Sequence, residues 1–318
     1  MAEELMVSVV VPTFNERENV GILCERVDAA LAGVKHEIIF VDDSRDDTPE
    51  VIRRLGGRDE SEGVGLQTEK AAGRLDAGIE IAGKSDTYTE STGKSGTDTE
   101  STGKTDTEIG SCAHIRLRHR ENGSGLATAV IEGFGMAQGK YIVVMDADLQ
   151  HPPEILRPMY AAITAEGCDF CIPSRFIPGG SDGGLNLYRK FVSATARYIG
   201  KAMLSSIRKV SDPTGGLFMF RRECIDGADL RPIGWKILIE VLAMAKYDSI
   251  CEIPYTFCER EHGESKLSAK VTKEYLQQVR MLRKREIKRG NVRVVRVSPK
   301  RLAELAAEGK QDENRVMK

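Results

Sequence analysis

The sequence predicts an α/β fold: a mostly parallel sheet flanked by helices. Two observations carry that expectation. Short apolar runs at residues 7–11, 37–41 and 141–145 alternate with stretches whose apolar residues recur at helical spacing, which demands parallel strands joined by helical crossovers. Each run also stops abruptly at a polar or acidic cluster, and the crevices at the carboxyl ends of parallel strands are where such folds bind ligands.

Residues 7–11 read as a buried strand broken by Pro12, and the turn Thr13-Phe14-Asn15-Glu16 leads into a helix with apolar Val20, Leu23, Val27 and Leu31. Residues 37–41 form the second strand, ending in Asp42-Asp43-Ser44. Thr48 is placed to cap the next helix, with Pro49 at its first position. Order then dissolves. A tandem unit recurs as Gly83-Lys-Ser-Asp-Thr-Tyr-Thr-Glu-Ser-Thr, Gly93-Lys-Ser-Gly-Thr-Asp-Thr-Glu-Ser-Thr and Gly103-Lys-Thr-Asp-Thr-Glu. Gly, Ser, Thr and alternating charge bury too little surface to offset ordering entropy, so residues 57–110 read as a disordered low-complexity insertion in a surface loop. A strand resumes at His114. The Gly-rich turn Asn122-Gly-Ser-Gly125 opens a helix of small residues, but its spacing misses the Gly-x-Gly-x-x-Gly of dinucleotide folds. Residues 170–173 read as a strand, 185–208 as a long helix, 216–220 as a strand and 233–246 as a helix. The organisation is a catalytic domain over 6–270 interrupted by the insertion, then a basic, helix-prone tail over 271–318 that is loosely attached beyond Arg296.

Composition removes several classes of function. The 318 residues carry 46 basic and 48 acidic side chains, a net charge of −2, so no global field favours nucleic acid. Seven scattered cysteines suit a reducing compartment, and Cys168-x-x-Cys171, inside a strand-like run, reads as buried thiols rather than a zinc or redox site. The N-terminus lacks the basic flank and apolar stretch of a secretory signal, and no run reaches the roughly 18 apolar residues of a spanning helix. Membrane contact is therefore expected to be peripheral, on the cytoplasmic side, or through an anchoring partner subunit.

The most informative stretch is Tyr141-Ile-Val-Val-Met-Asp146-Ala-Asp148-Leu-Gln150-His-Pro-Pro-Glu154. Strand alternation projects Asp146 and Asp148 to one side, with the small Ala147 leaving room for a ligand. Two carboxylates with the nearby Gln150 carbonyl suit Mg²⁺ or Mn²⁺, whose remaining positions water and a substrate diphosphate would take.

Taken together, Val9-Val-Val-Pro12-Thr-Phe-Asn15-Glu16, Val41-Asp42-Asp43-Ser44, Asp146-Ala-Asp148-Leu-Gln150-His-Pro-Pro-Glu154, Asp212-Pro-Thr-Gly-Gly and Glu259-Arg260-x-x-Gly263-x-Ser265-Lys266-Leu267 resemble family-2 glycosyltransferases. Within that family they are most similar to the dolichyl-phosphate (polyprenyl-phosphate) mannosyltransferases. The resemblance implies a glycosyltransferase-A fold, a nucleotide-sugar donor, a divalent metal and a lipid-phosphate acceptor. It places Pro12, Phe14 and Glu16 around the nucleoside, and Val41 and Asp43 at the base and ribose. Asp146, Asp148 and Gln150 hold the metal, Ala147 passes close to the donor, and Arg260 and Lys266 clamp the diphosphate. Where many relatives have Gly-Ser-Arg, this chain has Pro173-Ser-Arg175.

A lipid phosphate is already anionic near neutrality, with a second pKa of about 6, so it needs positioning rather than activation. Arg175 and Arg189, with Ser193 one turn on, are the candidate acceptor ligands, because guanidinium forks match phosphate. Asp212 is either a general base, as a hydroxyl acceptor would require, or a residue that orders the acceptor loop. The helix over 186–208 carries apolar residues at helical spacing and a cationic side of Arg189, Lys190, Arg197, Lys201 and Arg208, which suits an anionic membrane surface. The expected reaction is inverting, metal-dependent transfer of mannose from GDP-mannose to dolichyl or polyprenyl phosphate. The alternatives are a UDP-glucose-type donor, a polysaccharide hydroxyl acceptor, or a binding protein without catalysis. Deleting residues 63–108 is expected to leave the melting temperature and turnover nearly unchanged, because surface loops tolerate length changes cheaply. Resistance of this segment to protease in the intact chain would contradict the assignment.

Overall fold

The computed structural model describes residues 4–56, 58–60, 114–123, 125–184, 187–258 and 269–316. The described strands are β1 (Val7–Thr13), β2 (His36–Asp42), β3 (Arg58–Asp59), β4 (Ile115–His119), β5 (Tyr141–Val144), β6 (Phe170–Ser174), β7 (Phe218–Arg221), β8 (Ser249–Pro254) and β9 (Arg293–Arg296). They form one sheet in the order β3-β4-β2-β1-β5-β7-β6-β8-β9. Every adjacent pair is parallel except the two made by β7, which runs against β5 and β6. This confirms the α/β expectation and adds a reversed strand that the apolar pattern does not reveal.

Helices α1 (Val20–Ala30), α2 (Thr48–Arg54), α3 (Leu126–Met136), α4 (Leu156–Ala165), α5 (Leu187–Met203), α6 (Ile237–Met244), α7 (Ala269–Arg285) and α8 (Pro299–Val316) accompany the sheet. Strand alternation divides the core into two apolar clusters. Val7, Val9, Val11, Ile38 and Phe40 pack with Leu23 and Val27 of α1 and with Leu156, Met159 and Ile163 of α4. Val10, Ile39 and Val41 pack instead with Val130 and Phe134 of α3, residues 237–245 around α6, and Tyr275, Val279 and Leu282 of α7.

Pro12 does not break β1. The Val10 carbonyl accepts from the Met145 N–H toward β5, so Pro12, two residues on, faces the same side. The β1–β5 ladder has ended at Val10 and Val144, so the missing proline N–H removes no bond, while β1–β2 pairing continues to Thr13 and Asp42. Pro173 is accommodated likewise: it pairs with Ile253 on β8 and lies past the last β6–β7 pair, Cys171 with Met219.

Three boundaries differ from the sequence reading. Arg58-Asp59, inside the segment assigned to the insertion, pair with Arg116-Leu117, and Glu60 forms a two-pronged ion pair with Arg116. That guanidinium also reaches the buried Glu37, and the two carboxylates hold its pKa above the ordinary value despite burial. Residues 61–113, including the decapeptide repeats, lie outside the described residues. Secondly, α5 ends at Met203, and Leu204 and Ile207 are fully buried beyond it. Thirdly, the tail beyond Arg296 is docked. β9 pairs with β8, the Val297 N–H donates to the Glu252 carbonyl at 2.9 Å, and Leu305 of α8 joins the first cluster beside α4. The basic composition concealed this, because edge pairing needs backbone groups and a few alternate apolar residues. Leu305→Ala is accordingly expected to lower the unfolding free energy by about 2–5 kcal/mol in a urea titration.

Candidate active site

The carboxyl ends of β1, β2, β5, β6 and β8 form one rim, and β7 contributes its amino end because it runs the other way. The reversal brings residues 212–216 to the strand ends that carry Arg175 and the Asp-x-Asp segment. Continuing the β5–β7 register beyond its last pair, Val144 with Phe218, sets Asp146 opposite Gly216. A Cβ at Gly216 would overlap Asp146 Oδ2 and come within 3.3 Å of His151 Nε2. The second glycine of Asp-Pro-Thr-Gly-Gly is therefore the floor under Asp146.

β5 ends at Val144, before the two acids. Alternation persists nevertheless: Met145, Ala147 and Leu149 all enter the first apolar cluster, opposite Asp146 and Asp148. Ala147 is buried there, so packing selects its small side chain, and its methyl does not line an opening. Leu149 adopts φ +57°, closing a turn in which the Gln150 N–H donates to Asp148 Oδ1 at 3.1 Å. The Gln150 main-chain carbonyl accepts from the Cys258 N–H at 3.0 Å, which ties the Asp-x-Asp turn to the segment after β8.

His151 follows. Its ring stacks on Tyr255 (5.6 Å, 18°) and meets Phe257 edge-on (5.2 Å, 79°), with Nδ1 buried and lacking a hydrogen-bond partner. Burial, reinforced by the Arg175 and Lys236 charges and opposed by Asp148 and Asp212, lowers its pKa to about 4, so it is neutral near pH 7. Arg175 leaves the end of β6 and forks onto Asp212, with Nε to Oδ2 at 2.7 Å and Nη2 to Oδ1 at 3.1 Å. Asp212 is fully buried and Arg175 nearly so. Burial works against the guanidinium charge, but Asp212 outweighs it and holds the arginine pKa above its ordinary value. Lys236 is the other cation here. Its Nζ donates to the Thr214 carbonyl at 2.9 Å, and burial lowers its pKa against the pull of Asp212 and Asp146. The sequence reading had set Lys236 inside a helix; α6 begins only after it, at Ile237.

The β1–β2 end of the rim is held by side-chain hydrogen bonds. Asn15 sits at φ +57°, its N–H donating to Ser44 Oγ and its Oδ1 accepting from the Arg45 N–H. Thr48 does not cap α2; its hydroxyl accepts from the Glu16 N–H at 3.0 Å and donates to Asp46. Glu16 Oε2 accepts from Asn19. The Phe14 ring is 46 % exposed at this edge, whereas Pro12 and Val41 are buried, so any contact of Val41 with a base is limited to its backbone. Asp42 and Asp43 divide the work. Asp42 is buried, accepting from Thr13 and Ser44 and lying 2.7 Å from His119 Nδ1. Asp43 accepts both prongs of Arg120, at 2.7 and 2.8 Å, and the Gly125 N–H at 3.3 Å. Gly123 has no room for a side chain against the Asp43 carboxylate, so the Gly-rich turn serves close approach to Asp43.

Arg120, His151, Lys236 and Gly216 were not singled out from the sequence; His151 and Gly216 carried a signal, each as part of a quoted motif. Ser193 is half-buried on α5, and Arg189 occupies the first turn of that helix. Arg260 and Lys266 lie outside the described residues.

Residues 8–70 and 97–227 match Glycosyl transferase family 2. The chain belongs to this family. It is 36 % identical over 282 residues to the dolichol-phosphate mannosyltransferase of Pyrococcus furiosus, covering 89 % of this chain and 65 % of that relative, so the chain spans just under two thirds of its length. With the dolichol-phosphate mannosyltransferase of Saccharomyces cerevisiae it shares 37 % identity over 188 residues, 55 % of this chain and 68 % of the relative. The crystal structure of glucosyl-3-phosphoglycerate synthase from Mycobacterium tuberculosis in complex with uridine-diphosphate superposes with a TM-score of 0.50 at 15 % identity, covering 88 % of this chain and 80 % of that one. The family-2 chain thus has the glycosyltransferase-A fold.

The oxygen-only donor set of Asp146 and Asp148 fits a hard divalent cation, and Gly216 admits the Asp146 carboxylate at a place where any Cβ would displace it. Gly216→Ala is expected to cut turnover by about 10²-fold or more through displacement of Asp146, while circular dichroism and the melting curve stay close to the parent. Unchanged turnover would show that Asp146 is not held at that position for function.

Proposed function

We propose that this family-2 chain transfers mannose, with inversion, from GDP-mannose to dolichyl or polyprenyl phosphate at a membrane surface. The names of the relatives support the sugar and the acceptor class. The observation that carries the reading is the Arg175–Asp212 fork. A hydroxyl acceptor needs a base to remove its proton. Asp212, the acid the sequence offered for that task, has both carboxylate oxygens engaged by a buried guanidinium, so each already accepts a hydrogen bond from Arg175. A phosphate nucleophile needs no deprotonation, so an acid held in this way fits an acceptor that arrives as an anion.

On this reading Asp146 and Asp148 hold Mg²⁺ or Mn²⁺, which when bound supplies Lewis-acid stabilisation to the departing diphosphate. The chain's own groups do the rest. Lys236, held at the Thr214 carbonyl, adds positive charge close to Asp146 and Asp212. Phe14 offers an exposed ring to the nucleoside, and the Asp43–Arg120 pair presents a fixed carboxylate beside it. Arg189 and Ser193, on one face of α5, meet the acceptor phosphate, and Arg260 and Lys266 close over the donor.

The membrane part of the reading rests on different residues from those the sequence suggested. Ile199 and Met203 of α5 pack against the second apolar cluster, and Leu204 and Ile207 are inside it, so this stripe is not available to lipid. Among the described side chains of α5 and its surroundings, Tyr198, 65 % exposed, and Phe176 face outward, with the Arg197 guanidinium over the Phe176 ring at 3.8 Å. Aromatic rings beside a cation suit the headgroup region. Among the described residues no helix is long and apolar enough to cross a membrane.

The test is to incubate the purified chain with vesicles containing polyprenyl phosphate and radiolabelled GDP-mannose or UDP-glucose, with Mn²⁺ or EDTA, and to extract the lipid. Label is expected in the lipid from GDP-mannose only, lost with EDTA and reduced by about 10²–10³ in Asp148→Asn. Lipid label from UDP-glucose would overturn the donor, and transfer to a soluble hydroxyl instead of lipid would overturn the acceptor.

A further inference from the structure

At the opposite end of the sheet three metal-ligating side chains converge. Asp28 comes from α1, His36 opens β2, and His114 immediately precedes β4. Strand pairing sets the two histidines side by side: Ile38 is opposite Ile115, and the Ile38 N–H donates to the His114 carbonyl at 3.1 Å. His36 Nε2 lies 3.0 Å, and His114 Nε2 2.8 Å, from the same Asp28 Oδ1. The rings meet edge to face with centroids 4.8 Å apart, and the three ligand atoms all lie within 4.8 Å of one another.

The hydrogens on these rings make the cluster more than a surface ion pair. His36 Nδ1 is 2.8 Å from the Val34 carbonyl. A carbonyl can only accept, so Nδ1 carries the hydrogen, and the neutral ring then presents a lone pair at Nε2. That lone pair faces a carboxylate oxygen at hydrogen-bond distance. Two lone pairs hold this geometry only with a positive species between them, either a second proton on His36 or a metal ion. The Nδ1–H to carbonyl contact is also the outer-shell bond that fixes a metal-ligating imidazole in its tautomer and orientation.

We propose that Asp28, His36 and His114 bind one divalent transition-metal ion of the zinc type, separate from the cation at Asp146 and Asp148. Zinc bonds of about 2.0–2.2 Å put neighbouring ligand atoms of a tetrahedron about 3.3–3.5 Å apart, so the two observed spacings need open by only about 0.5 Å. Two imidazoles and a carboxylate favour zinc, copper or nickel over magnesium, whereas the oxygen-only set at the active site favours magnesium or manganese. The sites lie at opposite ends of the parallel strands, one at the start of β2 and the other past the end of β5, about 20 Å apart at the rise of a strand. His114 is the first described residue after 61–113, so an ion here clamps α1 and β2 to the point where the chain re-enters the sheet.

The experiment titrates the purified, untagged chain with Co²⁺ in excess Mg²⁺, which occupies the oxygen site without competing for imidazole, and repeats the titration with Zn²⁺ by calorimetry. One equivalent is expected to bind, giving the visible bands of four-coordinate Co²⁺ without a thiolate charge-transfer band, which sets Cys258 aside. His36→Asn and His114→Asn should each weaken Zn²⁺ binding by more than the roughly 10–100-fold that loss of an outer-shell partner costs. Asp148→Asn should leave the Co²⁺ bands unchanged. Circular dichroism checks that the histidine variants fold; should either fail, Asp28→Asn, which keeps the shape and removes the charge, gives the same reading. No Co²⁺ band, or Zn²⁺ binding that survives these substitutions, overturns the proposal and leaves Asp28 bridging protonated imidazole.

Discussion

The buried fork between Arg175 and Asp212 is the joint on which the candidate active site depends. It links the end of β6 to the loop before β7, two segments 37 residues apart in the chain. Removing one partner of such a pair commonly costs about 3–5 kcal/mol, because a buried charge is left uncompensated, although an apolar pair of the same shape can be equally stable. The pair is thus better understood through what it positions. Held there, the 212–216 loop sets the Thr214 carbonyl under Lys236 and brings Gly216 against Asp146. Arg175 also lies over the Phe257 ring, and Phe257 meets His151. One guanidinium therefore connects the Asp-x-Asp turn, the 212–216 loop and the segment after β8.

The charges of the rim follow from this arrangement. Asp146 and Asp148 lie toward β5, while Arg175 and Lys236 lie toward β6 and α6. His151 stands between them and, with its pKa near 4, contributes no charge around neutrality. Its aromatic cage explains why: stacking on Tyr255 and the edge-on contact with Phe257 exclude the water that would stabilise an imidazolium. A neutral ring there neither repels a cation at the two acids nor competes with the lysine for an anion.

Much of this was legible in the sequence, for identifiable reasons. Strands buried on both faces must be continuous apolar runs, so β1, β2 and β5 could be read directly, as could the polar clusters at their ends. The direction of β7 could not, because an apolar run carries no sign of its orientation. With that direction went the role of Gly216, which is visible only once Asp146 is known to stand opposite it. Lys236 was hidden by α6, whose apolar residues extended the helical pattern backward over a segment that is not helical. The later part of the α5 stripe has another use, because periodicity shows that a helix has an apolar side but not what covers it; over Ile199 and Met203 the cover is the second cluster, with the Tyr275 hydroxyl on the Ala196 carbonyl at 2.6 Å. Arg120, one residue past β4, had no motif at all.

The two prolines at the rim show how the sheet makes room for a ligand. β1 keeps pairing with β2 as far as Thr13 and Asp42 but leaves β5 at Val10. β6 keeps pairing with β8 as far as Ser174 and Pro254 but leaves β7 at Cys171. Pro12 and Pro173 each face the side where pairing has stopped. A proline cannot donate to a ladder, so each prevents the sheet from zipping closed by another step. The middle pair β5–β7 is thereby released from its neighbours on both sides at the rim, and it is this pair whose register sets Asp146 opposite Gly216. The crevice is therefore built by ending two ladders early, and the residues that end them each sit two positions before Phe14 and Arg175 respectively.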